Sequence, residues 1–175
     1  MFEYIGLALI IIIALAWKPY IMKTGKLGAP YVPMEPEAVN NVMDLAEVKP
    51  GDVFYDLGSG DGRLVIAAAL RGATAYGVEI DTLRVWYSRI WIAILGLSGK
   101  AKILHKNIFD VDYSDATVLN LYLLQSTNER LEEKLKKELK SGTRVVSAAF
   151  VLPGWNLVSI DPEGTQYGPL HLYDV

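Results

Sequence analysis

The chain of 175 residues contains no cysteine and only two histidines. The lack of cysteine excludes disulfide bonds, thiolate metal sites and a cysteine nucleophile. His105 and His171 stand far apart without a carboxylate cluster around either, so we expect no metal site and no catalytic triad. A strong charge of one sign is also missing, because 17 basic and 20 acidic residues give a net charge of −3. This balance disfavours nucleic acid as a partner.

Hydrophobic residues make up 51% of the chain, which suffices for the core of one domain with a short additional segment. From Tyr4 to Trp17 there is no charged residue. Fourteen helical residues rise about 21 Å, less than the roughly 30 Å hydrocarbon core of a bilayer, whereas a helix continuing to Met22 would reach about 28 Å. Pro19 favours a kink or an end at that point.

Three interpretations of this segment compete: a signal peptide, a soluble core helix and a single-pass membrane anchor. A signal peptide should begin with basic residues, and Met1-Phe2-Glu3 has none. We therefore favour an N-terminal anchor helix over residues 1–23. Lys18, Lys23 and Lys26 follow the apolar run, and the positive-inside bias then places the remaining domain on the cytoplasmic side of a membrane.

Beyond a linker at 24–34, the hydrophobic pattern over 35–175 predicts alternating strands and helices. The predicted strands are 53–57, 74–80, 101–105, 116–124 and 144–150, the predicted helices include 35–47, 83–97 and 128–139, and a terminal hairpin is predicted from 155–160 and 169–173. This alternation indicates an α/β fold with a doubly wound, mostly parallel Rossmann-like sheet and a C-terminal antiparallel hairpin. The helix 83–97 has apolar residues, including two tryptophans, around more of its circumference than a core stripe requires. It is either deeply buried or lies on a bilayer surface.

The run from Tyr55 to Arg63 has glycine at three alternate positions, Gly58, Gly60 and Gly62, between an apolar strand and an alanine-rich helix. Glycine accepts positive φ and allows a ligand to approach bare backbone. The next predicted strand ends in Glu79, where nucleotide-binding α/β units place a carboxylate that accepts hydrogen bonds from ribose hydroxyls. Taken singly, such glycines and such an acid are often purely structural.

The spacing of these residues discriminates between nucleotide ligands. A dinucleotide fingerprint requires its third glycine at position 63, which is Arg63, and a P-loop requires Gly-Lys-Ser/Thr, which is missing. Asp-Leu-Gly-x-Gly-x-Gly followed by Gly-Val-Glu-Ile-Asp resembles the first two motifs of class I S-adenosylmethionine-dependent methyltransferases. Because ligands of such sheets bind at the carboxyl ends of strands, Asn107 and Ile108 are candidates for the adenine edge and face. Asn120 and Tyr122 are candidates near the transferred methyl group, although one of the two could face the core.

Over residues 31–160 the chain resembles a small seven-β-strand family of protein-lysine methyltransferases. The family includes archaeal enzymes and mitochondrial enzymes that methylate the ATP synthase c subunit and the adenine nucleotide translocase. The resemblance rests on Tyr31-Val32-Pro33, the glycine run, Asn120-Leu121-Tyr122-Leu123-Leu124, Asn128-Glu129-Arg130-Leu131, Arg144-Val145-Val146-Ser147 and Pro153-Gly154-Trp155. It implies a seven-stranded sheet, S-adenosylmethionine as cofactor, a protein lysine as acceptor, possible membrane-protein substrates and a monomeric enzyme. It also implies cofactor binding by Asp56, Gly58, Ser59, Gly60, Gly62, Glu79, Ile80, Asn107 and Ile108, and catalytic roles for Tyr122, Asn120 and Tyr31.

Two departures from the family concern the substrate side. Met34 stands where relatives usually have Ser or Thr, so a helix cap or a pocket hydroxyl is lost. Ala148-Ala149 stands where a polar pair is usual. A methyltransferase for a small or lipid-like molecule, and a non-catalytic module that only binds the cofactor, therefore remain as alternatives.

Overall fold

The computed structural model describes residues 31–175. Residues 33–175 form one compact unit, and Tyr31 and Val32 belong to the preceding one. The anchor predicted for 1–23 and most of the linker lie outside the described residues. Within 31–175, no helix is both long and apolar enough to cross a bilayer.

The described part of the chain has four α-helices and seven strands. They are α1 Pro36–Leu45, β1 Val53–Leu57, α2 Arg63–Leu70, β2 Thr74–Glu79, α3 Thr82–Ile94, β3 Ala101–His105, β4 Val118–Leu121, α4 Gln125–Glu138, β5 Arg144–Ala148, β6 Asn156–Thr165 and β7 Gly168–Asp174. Helices and strands alternate up to β3 and again from β4 to β5. A single 3₁₀ turn, Ile108–Asp110, follows β3.

The strands form one sheet in the order β3-β2-β1-β4-β5-β7-β6. The first five are parallel, and β7 pairs antiparallel with both β5 and β6. The predicted seven-stranded, mostly parallel sheet with a terminal hairpin is thereby confirmed. The strand order reverses between β1 and β4, so the carboxyl ends of these two strands form the switch point at which ligands of doubly wound sheets bind.

The central strands are apolar because both faces of the parallel sheet are covered. Phe54 of β1 and Val118 of β4 have no exposed surface, and Val65 of α2 packs into the same core. Met34, where the resemblance led us to expect Ser or Thr, is a buried core residue. The side chain of Met34 thus packs in the hydrophobic core. The N-cap of α1 is the next residue, Glu35, whose side chain makes no capping hydrogen bond, and a proline stands in the first turn of the helix.

Several predicted boundaries were wrong by two residues or more, among them the ends of β4 and β6. Strand β4 ends at Leu121 rather than 124 because the chain leaves the sheet to start α4, whose first turn bonds to the carbonyl of Leu124. Strand β6 continues to Thr165, beyond the predicted residue 160, because it pairs with β7 through register shifts that no alternation of side chains reveals.

Candidate cofactor site

The glycine run forms a loop held tightly against β2. Gly58, Gly60 and Gly62 have φ values of 78°, 56° and 80°, a region that favours glycine. The backbone N–H groups of Gly58 and Ser59 both donate to the carbonyl of Val78, at 2.8 and 3.0 Å. The loop that joins β1 to α2 is thus fixed beside the end of β2, as the sequence predicted.

Helix α3 supports the same loop from the side. The Ser88 hydroxyl lies 3.1 Å from the Gly60 carbonyl, and a Cβ on Gly62 would lie 2.9 Å from Ser88 Cβ. Gly77 of β2 is equally restricted, since its Cβ would come 2.5 Å from Ser59 Oγ. Both glycines are required by packing, independently of any ligand.

We expect Gly62→Ala to destabilise the protein more than Gly96→Ala. Both residues have positive φ, 80° and 70°, but a Cβ at Gly96 would meet nothing within 4 Å. Gly96→Ala should therefore cost only the left-handed backbone penalty of about 1–2 kcal/mol, whereas Gly62→Ala adds the collision with Ser88. Denaturant unfolding of the two variants measures the difference. Equal losses of stability would show that the loop does not depend on contact with α3.

Glu79 is 4% exposed and connects this loop to the end of β2. Its Oε2 accepts from the Gly60 N–H at 2.9 Å, and its Oε1 accepts from the N–H groups of Ile80 and Asp81 at 2.9 and 2.8 Å. A carboxylate has about four acceptor positions, so roughly one remains on Oε2. The acid predicted to bind ribose is placed for that bond, but most of its acceptor capacity orders the loop.

Asp56 and Asn120 form a buried polar pair on adjacent strands β1 and β4. Asn120 Nδ2 donates to Asp56 Oδ1 at 2.8 Å. Burial raises the pKa of Asp56 to about 7; the bond from Asn120 lowers it, and the nearby charges of Asp61 and Glu79 raise it. Asn120 Oδ1 is buried without a hydrogen-bond partner among the described residues. An unsatisfied oxygen beside a carboxyl group fits a cationic group of a ligand.

Tyr122 follows β4 and faces the turn between β6 and β7. It is half-buried and packs against the hydrophobic core. Burial and the neighbouring Tyr167 raise its pKa above the ordinary value, and the Thr165 side chain lowers it. Of the two residues that the sequence left open, Asn120 is therefore the more deeply buried one. The contribution of the β6–β7 turn was missed, because only the register of the hairpin brings these residues to the end of β4.

The end of β5 contacts the start of β7. Ala149 has a φ of 65°, unusual for a residue with a Cβ, and its N–H donates to the Pro169 carbonyl at 2.9 Å. A Cβ on Gly168 would lie 3.3 Å from Ala149 Cβ. Ala149, one of the two alanines at which the chain departs from the family pattern, thus lies where two backbones approach closely.

Ile80, predicted to bind the cofactor, lies after β2, and Asn107 and Ile108, predicted for adenine, lie after β3. Ile80 is 41% exposed, and Ile108 is partly exposed in the 3₁₀ turn. Asn107 Oδ1 accepts from the Phe109 N–H at 3.1 Å, so the predicted adenine contact would have to use its amide nitrogen. His105, whose Nε2 lies 3.1 Å from the Ile80 carbonyl oxygen, ties the two strand ends together.

No contact in the described part of the chain joins Tyr31 or Trp155 to Tyr122. Tyr31 belongs to the preceding unit, and its place over the pocket stays a prediction. Trp155, from the Pro153-Gly154-Trp155 motif, lies against α4, with Lys136 Nζ 5.9 Å from its ring centre. A separate cavity of about 480 Å³ is lined by α1, by Asp61 and Arg63 at the start of α2, and by Tyr87 and Trp91 of α3. Arg63 pairs with Asp61 and donates to the Met34 carbonyl.

Comparison with known proteins agrees with this geometry. Residues 56–159 match the ANTKMT methyltransferase domain. The chain belongs to this family. A protein-lysine N-methyltransferase of Saccharolobus islandicus is 46% identical over 73% of this chain and 80% of its own length. The adenine nucleotide translocase lysine N-methyltransferase of Mus musculus is 37% identical over 91% of this chain and 70% of its own.

The human lysine N-methyltransferase named for the ATP synthase c subunit is 34% identical over 79% of this chain, and this chain covers 59% of its length. Among solved structures, an RNA methyltransferase from Salinibacter ruber in complex with S-adenosylhomocysteine is 37% identical, with a TM-score of 0.77 over 82% of this chain and 94% of its own. The family member is thus an S-adenosylmethionine-dependent methyltransferase. The loop, the acid at the end of β2 and the buried Asp56–Asn120 pair fit that cofactor.

Proposed function

We propose that this ANTKMT-family methyltransferase transfers methyl groups to lysine side chains of a protein. The observation that supports this acceptor most is the pair of relatives named as lysine N-methyltransferases, which match 73% and 91% of the chain. The similar structure named as an RNA methyltransferase points to another acceptor. The net charge of −3 gives no general attraction to RNA.

We assign to each part of the cofactor a residue whose chemistry would bind it. When bound, S-adenosylmethionine supplies a methyl group on a positively charged sulfur. Asp56 would hold the α-ammonium group, because a buried carboxylate gains most from a cationic partner. Glu79 would accept from a ribose hydroxyl, and Ile80 and Ile108 would flank the adenine ring. Asn120 would act as a positioning residue by orienting Asp56.

The acceptor lysine must be neutral to act as a nucleophile, and its ordinary pKa is near 10.4. Tyr122 would not take the proton as a phenolate, because its pKa is raised by burial and the phenol stays protonated. It would instead accept a hydrogen bond from the amine nitrogen and orient its lone pair. The aromatic rings of Tyr122 and Tyr167 would remove water from the ammonium group, which favours the neutral amine, and the proton would leave to solvent.

Tyr122→Phe tests this orienting role. We expect kcat to fall about tenfold, the loss of one hydrogen bond of roughly 1.4 kcal/mol in the transition state, with unchanged affinity for S-adenosylhomocysteine. Tyr76→Phe is the matched control, since it removes the hydroxyl of another partly buried tyrosine, on β2, whose ring stacks on Tyr55. We expect it to change kcat by less than about threefold. A loss of cofactor affinity in Tyr122→Phe would assign the residue to cofactor binding instead.

The acceptor itself is tested by incubating the purified protein with methyl-labelled S-adenosylmethionine and separate protein, RNA and lipid fractions. Methyl-lysine identified in proteins by mass spectrometry supports the proposal. Label found in RNA or lipid instead would identify that molecule, and not lysine, as the methyl acceptor. Cofactor binding without transfer to any fraction would favour a non-catalytic module.

We further propose that the uncharged stretch from Tyr4 to Trp17 anchors the protein in a membrane, with the methyltransferase domain on the cytoplasmic side. The support is the sequence alone: an apolar run followed by Lys18, Lys23 and Lys26. Extraction of membranes with alkaline carbonate tests the anchor. Release of the full-length chain into the soluble fraction would contradict it.

A further inference from the structure

Helix α3 exposes apolar side chains on the face that points away from the core. Its buried positions, such as Val85, Ser88 and Ile92, share one side. The opposite arc has six large apolar side chains, all at least 39% exposed: Leu83, Trp86, Tyr87, Ile90, Trp91 and Ile94. An ordinary surface helix shows polar residues on this arc. A contiguous apolar face of this kind marks a binding surface.

Basic residues predominate along α3 and β3, although Asp81 caps the start of α3 and Asp61 lies beside Tyr87 and Trp91. From Thr82 to Phe109 the chain contains five Lys or Arg residues and no Asp or Glu. Arg89 joins α3 to the sheet by donating to the Ile103 carbonyl at 2.7 Å. Lys100, Lys102 and Lys106 are exposed on and beside β3, the edge strand next to α3. An occupant of the apolar face should therefore combine apolar groups with negative charge.

We propose that the exposed face of α3 docks on the surface of an anionic phospholipid bilayer. Acyl chains would cover Ile90 and Ile94, and the indole rings of Trp86 and Trp91 would lie at headgroup depth, where tryptophan is enriched. Lipid phosphates would match the basic edge of the sheet. A second copy of the chain fits less well, because a symmetric dimer through α3 would bring two basic edges together. The proposal requires only the described face of α3, and it does not depend on the acceptor of the methyl group.

Quenching of one tryptophan tests contact between α3 and lipid in the full-length chain. Phe replaces Trp17, Trp91 and Trp155, so Trp86 is the remaining tryptophan. Vesicles of phosphatidylcholine and phosphatidylglycerol carry bromine at a shallow acyl position. We expect Trp86 fluorescence to fall about twofold, since an interfacial helix enters roughly 5–10 Å into the headgroup boundary. A matched chain that keeps only Trp155, which packs on α4, should be unaffected.

A comparison of Ile90→Glu with Val158→Glu distinguishes the loss of the apolar face of α3 from the general effect of an added negative charge. The two side chains are 54% and 56% exposed, on α3 and β6 respectively. In the Trp86-only chain, Ile90→Glu should weaken lipid contact about tenfold or more, the effect of losing one buried aliphatic side chain, and Val158→Glu should not. Replacing phosphatidylglycerol by phosphatidylcholine should also reduce quenching.

Three results would overturn the proposal. The fluorescence of Trp86 could be equally strong with and without bromine in the lipid, while iodide dissolved in the water quenches it. Ile90→Glu and Val158→Glu could have the same effect. Finally, sedimentation without lipid could show a dimer that Ile90→Glu dissociates, which would assign the face to a second copy. Because the readout is fluorescence, none of these outcomes depends on methyl transfer.

Discussion

Glu79→Gln is expected to weaken the binding of S-adenosylhomocysteine about 100-fold while the sheet remains folded. The substitution keeps the shape of the side chain but turns one acceptor oxygen into a donor. If the amide nitrogen takes the place of Oε2, the Gly60 N–H loses its acceptor, and if it takes the place of Oε1, the N–H groups of Ile80 and Asp81 both do. Hydrogen bonds to a charged group contribute about 1.5–3 kcal/mol each, and both the loop and the ribose lose such a bond. Titration calorimetry measures the affinity.

Asp81→Asn is the matched control, since it removes a carboxylate two residues away. Asp81 caps α3 by accepting from the N–H groups of Leu83 and Arg84, and asparagine caps helices about as well. We expect its affinity to change by less than about threefold. Equal losses in Glu79→Gln and Asp81→Asn would show that only the overall negative charge matters, and would contradict a specific role for Glu79.

The sequence predicted the glycine loop and Glu79 because both are defined by local spacing. Three alternate glycines after a buried strand need no knowledge of distant residues, and the positive φ values at Gly58, Gly60 and Gly62 follow from that pattern. What local spacing could not predict is that Gly62 is also required by Ser88, 26 positions later, because this contact exists only once α3 packs on the loop.

The partners of Asn120 and Tyr122 depend on strand register. Asn120 lies opposite Asp56 because β1 and β4 are neighbours in that alignment, although the two residues are far apart in sequence. Tyr122 meets Thr165 because the hairpin folds back beside β5. Periodicity identifies strands but not their order, so the Asp56–Asn120 pair and the position of Tyr122 beside the β6–β7 turn could be seen only in the fold.

The second large effect concerns pH. Asp56 has a folded pKa of about 7, above its ordinary value of 3.8. The folded protein therefore binds more protons than the unfolded chain between these values. The stability that Asp56 contributes is fully present below about pH 4 and is lost as the pH rises toward 7. Asp56→Asn should remove this slope, which reaches at most about 1.4 kcal/mol per pH unit in the free energy of unfolding.

Cofactor binding should show the opposite trend. An ammonium group beside Asp56 favours the carboxylate, so the affinity for S-adenosylhomocysteine should rise about tenfold between pH 6 and 7.5, over which its amine stays mostly protonated. In Asp56→Asn the affinity should be weaker and nearly constant over this range. Calorimetry in buffers of different ionisation enthalpy would also detect a proton released on binding at pH 6. An affinity that is independent of pH in the unmodified protein, or an equal slope in Asp56→Asn, would place the ammonium group away from Asp56.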